Sequence, residues 1–147
     1  MERQPREKVI IVVDASVIVK WFVDEDYTKH ALKMMEDYIR GTIDIWSTQL
    51  MPFEVLNALR YNQELGQEEI DRAASALSRF KIALYPILDE LADLSVQYAF
   101  KHGLTIYDGS YLALSKAFDK ELYTADERML TKVSGKEKRI AHLKEYR

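Results

Sequence analysis

Four carboxylate residues share one placement, at or just beyond the ends of predicted strands. Asp14 directly follows an apolar run, and Asp126 follows another such run after one intervening residue. Asp108 ends a short apolar segment, and Glu54 lies in the first turns of a helix that follows a strand. In open α/β sheets, ligands bind beyond the carboxyl ends of the strands. We therefore expect four separate segments to bring a carboxylate to the same edge of one sheet.

Carboxylates gathered in this way favour the binding of a cation. Two unit charges about 4 Å apart repel by roughly 4 kcal/mol at an effective dielectric constant near 20. Such a group must take up protons or bind a positive ion. Ligands that are all oxygen, without His or Cys, suit Mg²⁺ or Mn²⁺ better than Zn²⁺. One or two such ions would lower the pKa of an attacking water and neutralise charge on a scissile phosphate.

Each acid taken alone has a structural interpretation as well. Aspartate is a common helix N-cap, so Asp108 and Asp126 could each simply cap a helix. Glu54 could be a first-turn acid on a solvated helix face. Asp14 is harder to explain in this way, because it directly ends a fully apolar strand. The convergence of all four, rather than any single acid, carries the prediction of a metal site.

Alternating strands and helices position these residues. The run Val9-Ile10-Ile11-Val12-Val13 is typical of a strand buried on both faces of a parallel sheet. The predicted strands are 9–13, 43–47, 82–85, 121–124 and 139–143, and the predicted helices are 16–22, 28–41, 52–65, 68–81, 88–103, 109–117 and 126–133. The pattern predicts one α/β domain over residues 1–147, around a mostly parallel sheet, with residues 1–7 as a flexible N-terminal extension.

Composition excludes several other kinds of protein. The 147 residues contain no cysteine, which excludes a disulfide scaffold, a zinc–cysteine site, an iron–sulfur cluster and a cysteine nucleophile. No apolar run reaches 18 residues and no signal peptide is evident, so we expect a soluble, cytoplasmic protein without membrane contact. The three histidines lack ligand spacing, and no phosphate-binding or dinucleotide-binding glycine loop is present.

The basic residues are concentrated towards the C-terminus. The net charge is −3, yet residues 132–147 contain six basic and two acidic side chains, a local charge of +4. Such a segment can contact phosphates, or it can simply be a solvated tail. Lys20 and Arg128 lie closer in sequence to the predicted carboxylate edge, where they could hold a nucleic acid strand or pair with neighbouring acids.

Four segments resemble, in order, the motifs of PIN-domain proteins of the VapC toxin type. They are VVDASVIVKWF at residues 12–22, PFEVLNAL at 52–59, TIYDGSYLAL at 105–114 and LYTADERML at 122–130. Each motif is short and degenerate, but four in register are fairly specific, and the resemblance covers about residues 9–143. One departure is Gly109, where the family more often has alanine; glycine weakens a helix start and leaves Asp108 in place.

The resemblance implies a PIN fold, with a central parallel sheet in the order 3-2-1-4-5 flanked by helices. It also implies an Mg²⁺- or Mn²⁺-dependent endoribonuclease with one or two ions. By motif position, Asp14 and Asp108 would bind the metal directly, while Glu54 and Asp126 would hold the metal, its waters or a second ion. Three further residues would support these ligands, although they also suit ordinary strand and helix positions: Ser16, Asn57 and Thr124.

The resemblance further implies a homodimer and a cognate antitoxin protein. Two apolar pairs beside the acidic motifs, Trp21-Phe22 and Phe53-Leu56, could form a groove for a partner segment or could belong to the core.

Other functions remain open at this point. They are a non-catalytic PIN-like module that binds RNA or protein, an RNA-processing nuclease outside a toxin–antitoxin system, and a metal-dependent phosphatase or DNA-flap nuclease. A phosphoacceptor receiver domain is disfavoured, because it would need paired early acids and Asp14 stands alone.

Overall fold

The computed structural model describes residues 8–147, so the predicted N-terminal extension, residues 1–7, lies outside the described residues. One parallel sheet is formed by β1 (Val9–Val13), β2 (Ile43–Thr48), β3 (Ala83–Tyr85), β4 (Glu121–Thr124) and β5 (Ile140–His142). Its strand order is β3-β2-β1-β4-β5. The α/β class and the order implied by the resemblance are therefore confirmed.

Strand β1 is central because its side chains suit burial on both faces. Ile11, Val12 and Val13 are all buried, and successive strand residues point to opposite faces of the sheet. β1 pairs with β2 on one side and with β4 on the other, and Val13 lies opposite Tyr123. This register places Asp14, which follows β1, beside Thr124, the last residue of β4.

Seven helices flank the sheet within the described residues. They are α1 (Ala15–Ile18), α2 (Thr28–Arg40), α3 (Met51–Tyr61), α4 (Gln67–Phe80), α5 (Asp89–His102), α6 (Ile106–Phe118) and α7 (Glu127–Val133). Short 3-10 helices occupy Val19–Trp21 and Leu143–Glu145. Across residues 8–147, the helices are too short or too polar to cross a membrane.

Two helix boundaries differ from the sequence prediction. Helix α3 was expected to run to Leu65 and to end at Gly66, but it ends at Tyr61 because Asn62 has an extended backbone. Gly66 instead begins α4, where its N–H donates to Glu69 Oε2 at 2.8 Å. A glutamate three residues into a helix commonly caps its start in this way.

Helix α6 also begins earlier than expected. The sequence predicted a short apolar segment up to Tyr107 and a helix from Gly109, and this boundary is wrong. The helix starts at Ile106, because the Thr105 hydroxyl accepts a hydrogen bond from the Asp108 N–H at 3.0 Å. Thr105 is thus the N-cap, and Asp108 lies in the first turn. Residues 109–115 are all buried, so α6 is enclosed by the rest of the fold.

Gly109 allows α5 and α6 to approach closely. A Cβ atom at this position would lie 2.5 Å from the Ser95 backbone oxygen and 3.3 Å from the Ala99 Cβ. The backbone oxygen belongs to α5 and cannot move aside as a flexible side chain would. The departure from the family pattern therefore has a packing reason, and it fixes the first turn of α6, which carries Asp108.

The substitution Gly109→Ala tests this close approach. Helix propensity alone would make alanine stabilising by about 1 kcal/mol. Packing predicts the opposite sign, a loss of about 1–3 kcal/mol in the free energy of unfolding, because a methyl group is forced against backbone. Urea unfolding measures the difference. In the control Gly66→Ala, the added methyl group contacts only the flexible Glu69 carboxylate, at 3.1 Å. We therefore expect a smaller change in the free energy of unfolding than for Gly109→Ala. A stabilised Gly109→Ala protein would contradict the packing argument.

Candidate active site

Asp14 lies immediately after β1 and is almost completely buried, with 3% of its surface exposed. The Ser16 hydroxyl donates to its Oδ1 atom at 2.5 Å, and the Thr124 hydroxyl donates to its Oδ2 atom. Both carboxylate oxygens therefore accept a hydrogen bond from a neutral side chain. These bonds hold the carboxylate in one orientation and partly offset its removal from water.

The same two hydroxyls also hold the loop that follows β4. Ser16 Oγ accepts a hydrogen bond from the Ala125 N–H at 2.8 Å, and Thr124 Oγ1 accepts one from the Asp126 N–H at 3.0 Å. Because each hydroxyl contacts both Asp14 and this loop, the positions of Asp14 and Asp126 depend on each other.

Asp126 caps helix α7, as one interpretation of the sequence anticipated. Its Oδ1 atom accepts hydrogen bonds from the Arg128 N–H at 2.9 Å and the Met129 N–H at 3.2 Å. Its Oδ2 atom has no hydrogen-bond partner within residues 8–147. Capping uses one oxygen and fixes the side chain, so the second oxygen is available for a ligand.

Glu54 is held by a tyrosine that the sequence motifs did not single out. The Tyr111 hydroxyl donates to Glu54 Oε1 at 2.6 Å, and the tyrosine is 1% exposed. Tyr111 lies three residues after Asp108 on α6, so both point to the same side of that helix. This spacing from Asp108 was a signal that could have identified it.

Three of the four carboxylates, Asp14, Asp108 and Glu54, have a raised pKa. Burial raises the pKa of Asp14 from 3.8 to about 7, against the hydrogen bonds from Ser16 and Thr124, and the charges of Asp108 and Asp126 add to the rise. Burial, then the charge of Asp126, raises the pKa of Asp108.

Glu54 belongs to the same group. Burial raises its pKa, the Tyr111 hydrogen bond opposes that rise, and the charge of Asp108 adds to it. Burial and neighbouring acids thus make negative charge costly at Asp14, Asp108 and Glu54 in the absence of a cation.

The donor set fits a hard divalent cation, although the side chains do not form a closed cage. Within residues 8–147, no three acidic or imidazole groups lie close enough to hold one ion as they stand. Mg²⁺ is usually bound through one or two carboxylates and keeps several waters, so a closed cage is not required. The all-oxygen donors and the raised pKa of Asp14 match such an ion.

Basic side chains occur on one side of this group. Arg128 and Lys132 line a cavity of about 300 Å³ together with Asp108 and Asp126. Their charges act to lower the pKa of Asp108, which places them within electrostatic reach of it. Lys132 belongs to the basic C-terminal segment and also donates to the Gly103 backbone oxygen at 2.9 Å.

Lys20, by contrast, is buried and pairs with Glu25 at 3.4 Å. Pairing with a neighbouring acid was the alternative to RNA binding that the sequence left open for this residue. Its ammonium group is therefore less available to a ligand than the Arg128 and Lys132 side chains.

Asn57 lines a different cavity, of about 430 Å³, that adjoins Glu54. The groove proposed from Trp21-Phe22 and Phe53-Leu56 is not formed as one surface. Trp21 packs against Phe80 with ring centroids 5.0 Å apart, and Phe22 lines a third cavity on the side of α4. Trp21 and Phe22 are partly buried against the core, whereas Phe53 is exposed.

The raised pKa of Asp14 predicts a pH-dependent stability in metal-free protein. Between pH 3.8 and about 7, the folded state keeps a proton that the unfolded chain releases. The free energy of unfolding therefore falls as pH rises through this window, by up to about 1.4 kcal/mol per pH unit. Asp14→Asn lacks the titrating carboxyl group. The free energy of unfolding of this variant, relative to that of wild type, should therefore increase from about pH 4 to about pH 7.

Urea unfolding in EDTA across this range measures the effect. Asp93→Asn, which changes an exposed carboxylate on α5, is the control and should behave as wild type. A difference between Asp14→Asn and wild type that does not vary with pH would contradict the burial argument.

Comparisons with known proteins agree with this architecture. The chain is 29% identical over 126 residues to Ribonuclease VapC3 of Pyrobaculum aerophilum, covering 83% of this chain and 93% of that protein. Its fold is similar to a chain of a toxin–antitoxin complex from Klebsiella pneumoniae, with a TM-score of 0.67, 17% identity, and coverage of 90% of this chain and 97% of that one. It is also similar to PAE2754 from Pyrobaculum aerophilum, with a TM-score of 0.64 and 24% identity. This similarity covers 94% of this chain and 93% of that one. A profile of the PIN domain matches residues 11–136, and this protein therefore belongs to the PIN domain family.

Proposed function

We propose that this protein is an Mg²⁺- or Mn²⁺-dependent endoribonuclease that hydrolyses RNA phosphodiester bonds at the Asp14 edge of the sheet. The observation that carries the proposal is the buried Asp14, held by two hydroxyls and sharing its electrostatic environment with Asp108 and Asp126. The name of the relative from Pyrobaculum aerophilum, a ribonuclease, supports the same activity.

The carboxylates would hold one or two divalent ions. Asp14 and Asp108 are the proposed direct ligands, while Glu54 and Asp126 hold the metal, its waters or a second ion. When bound, the metal supplies a water of lowered pKa and positive charge that neutralises the scissile phosphate.

The protein's other residues position these groups. Ser16 and Thr124 keep Asp14 in one orientation through their hydroxyl hydrogen bonds. Arg128 and Lys132 line the cavity beside Asp108, where they can bind the phosphates of an RNA strand. Asn57 lines another cavity together with Glu54. Orientation by fixed neighbours would keep these groups in the geometry that an in-line attack on the phosphate requires.

Circular RNA gives a direct test of this activity, since only an endonuclease can cut a molecule without ends. We expect wild-type protein to open the circle in Mg²⁺ or Mn²⁺ and to lose this activity in EDTA. Asp14→Asn should lower the rate by at least about 100-fold, because the ion loses its most buried ligand. Gel electrophoresis of the labelled circle measures the cleavage.

Two controls make the result specific. Asp93→Asn removes an exposed carboxylate on α5 and should cut as wild type. Cleavage that persists in EDTA or in Asp14→Asn would contradict the metal-dependent mechanism. Cleavage of linear RNA but not of the circle would indicate an exonuclease. No cleavage of either RNA would favour the non-catalytic binding module.

We also infer that the protein is the toxin of a type II toxin–antitoxin pair, that it acts on RNA in the cytoplasm, and that it forms a homodimer. The similarity to a chain of the Klebsiella pneumoniae toxin–antitoxin complex supports the antitoxin partner. Exposed apolar residues on α5, Val96 at 47% and Phe100 at 84%, lie one turn apart and could contact a second copy. Light scattering that gives the mass of one chain would contradict the dimer.

Induced expression in a bacterial host tests the toxin role separately from the chemistry. We expect wild-type protein to arrest growth, because cleavage of cellular RNA stops protein synthesis. Asp14→Asn at the same expression level should leave growth unchanged. Efficient RNA cleavage in vitro combined with normal growth of cells that contain active protein would favour an RNA-processing role instead.

A further inference from the structure

Two cavities border the proposed metal ligands, and they differ in chemistry. The basic cavity contains Arg128 and Lys132 next to Asp108 and Asp126. The second cavity, which we call the aromatic cavity, is lined by Leu50, Phe53, Glu54, Asn57 and Tyr107. Because Tyr107 precedes Asp108 in α6, the two cavities meet at the first turn of this helix.

The aromatic cavity presents two large rings to solvent. Phe53 is 75% exposed and Tyr107 is 53% exposed. Each ring directly precedes a proposed metal ligand in sequence, Glu54 and Asp108 respectively. More than half of the surface of each residue is exposed, so a flat ligand can reach both rings. The rings are anchored on the first turns of α3 and α6, which the core holds in place.

We infer that the aromatic cavity binds an unpaired base of single-stranded RNA, beside the phosphate that is cleaved. The inference rests on the proposed function and specifies its substrate. Stacking of bases on aromatic side chains is the usual way in which proteins bind unpaired RNA, and duplex RNA cannot offer a base in this manner.

Charge favours a base over the RNA backbone in this cavity. Glu54 is the charged residue of its lining, so a phosphate there would be repelled while a neutral base would not. The phosphates can instead contact Arg128 and Lys132 in the basic cavity, which Asp108 also lines. A strand that crosses the site would thus place its backbone in the basic cavity and a base in the aromatic cavity.

The polar groups of the cavity also suit a base better than an apolar protein segment. Asn57 offers an amide donor and acceptor, which match the hydrogen-bonding edge of a base. An apolar segment would bury this amide without a partner and would offer none to the second oxygen of the Glu54 carboxylate, at a cost in free energy. The cavity volume, about 430 Å³, falls in the range of about 300–1,000 Å³ found for small-ligand sites.

The test measures binding of a labelled single-stranded RNA by fluorescence anisotropy, in an Asp14→Asn background that prevents cleavage. The variants are Phe53→Ala and Tyr107→Ala. The matched control is Tyr61→Ala, which removes a 78% exposed ring from the same helix as Phe53 but outside the cavity. We expect Phe53→Ala and Tyr107→Ala each to weaken binding by about 5- to 150-fold, the usual effect of losing one stacked base.

Three further readouts distinguish the loss of a stacked base from misfolding and from altered assembly. Tyr61→Ala should bind single-stranded RNA as tightly as the Asp14→Asn protein, which is the parent of all the variants. The affinity for duplex RNA should be the same in the parent and in every variant. The fluorescence of a 2-aminopurine base placed next to the cleaved bond should be quenched when the RNA binds the parent, and it should be quenched much less when the RNA binds Phe53→Ala. Sedimentation should show the same oligomeric state for all four proteins.

The inference is overturned if the parent binds no single-stranded RNA, or if Phe53→Ala and Tyr107→Ala bind as tightly as Tyr61→Ala. It is also overturned if binding is lost only together with a change in sedimentation, which would assign the cavity to a contact between protein chains. Failure of wild-type protein to cleave RNA would contradict the proposed function alone, since the binding measurements do not depend on cleavage.

Discussion

The buried charge of Asp14 is the constraint on which the rest of the site depends. Its carboxylate lies at the end of the central strand, almost without solvent, and burial raises its pKa to about 7. Two hydroxyl hydrogen bonds fix its orientation but do not supply a positive charge. The neighbouring acids oppose its ionisation further. Such an arrangement has a higher free energy without a counter-ion, which is the physical reason to expect a cation here.

The fold meets this constraint by bringing separate segments to one sheet edge. Parallel pairing of β1 and β4 places Asp14 beside Thr124, and the same hydroxyl network holds the loop with Asp126. The buried helix α6 carries Asp108 on its first turn, and Tyr111 one turn later holds Glu54. Gly109 permits the close contact of α6 with α5 that fixes this turn. Packing and electrostatics thus act on the same few positions.

The sequence predicted the strands well because their signal is local and strong. A β-branched run such as Val9–Val13 needs no tertiary information to be recognised, and the resemblance to PIN-domain proteins implied the strand order that the structure shows. Boundaries set by side-chain hydrogen bonds were predicted less well. The start of α6 depends on the Thr105 hydroxyl, and the role of Gly66 depends on Glu69. The partner of Tyr111 is 57 residues away in sequence, a contact that no local pattern reveals.

Calorimetric titration of Mn²⁺ into metal-free protein tests the central claim most directly, because it needs neither an RNA substrate nor catalysis. A carboxylate metal site predicts that wild-type protein binds Mn²⁺ and that Asp14→Asn binds it at least about tenfold more weakly. Asp93→Asn should bind as wild type. Absence of Mn²⁺ binding to the wild type, or equal binding to wild type and Asp14→Asn, would contradict a metal site at this edge of the sheet.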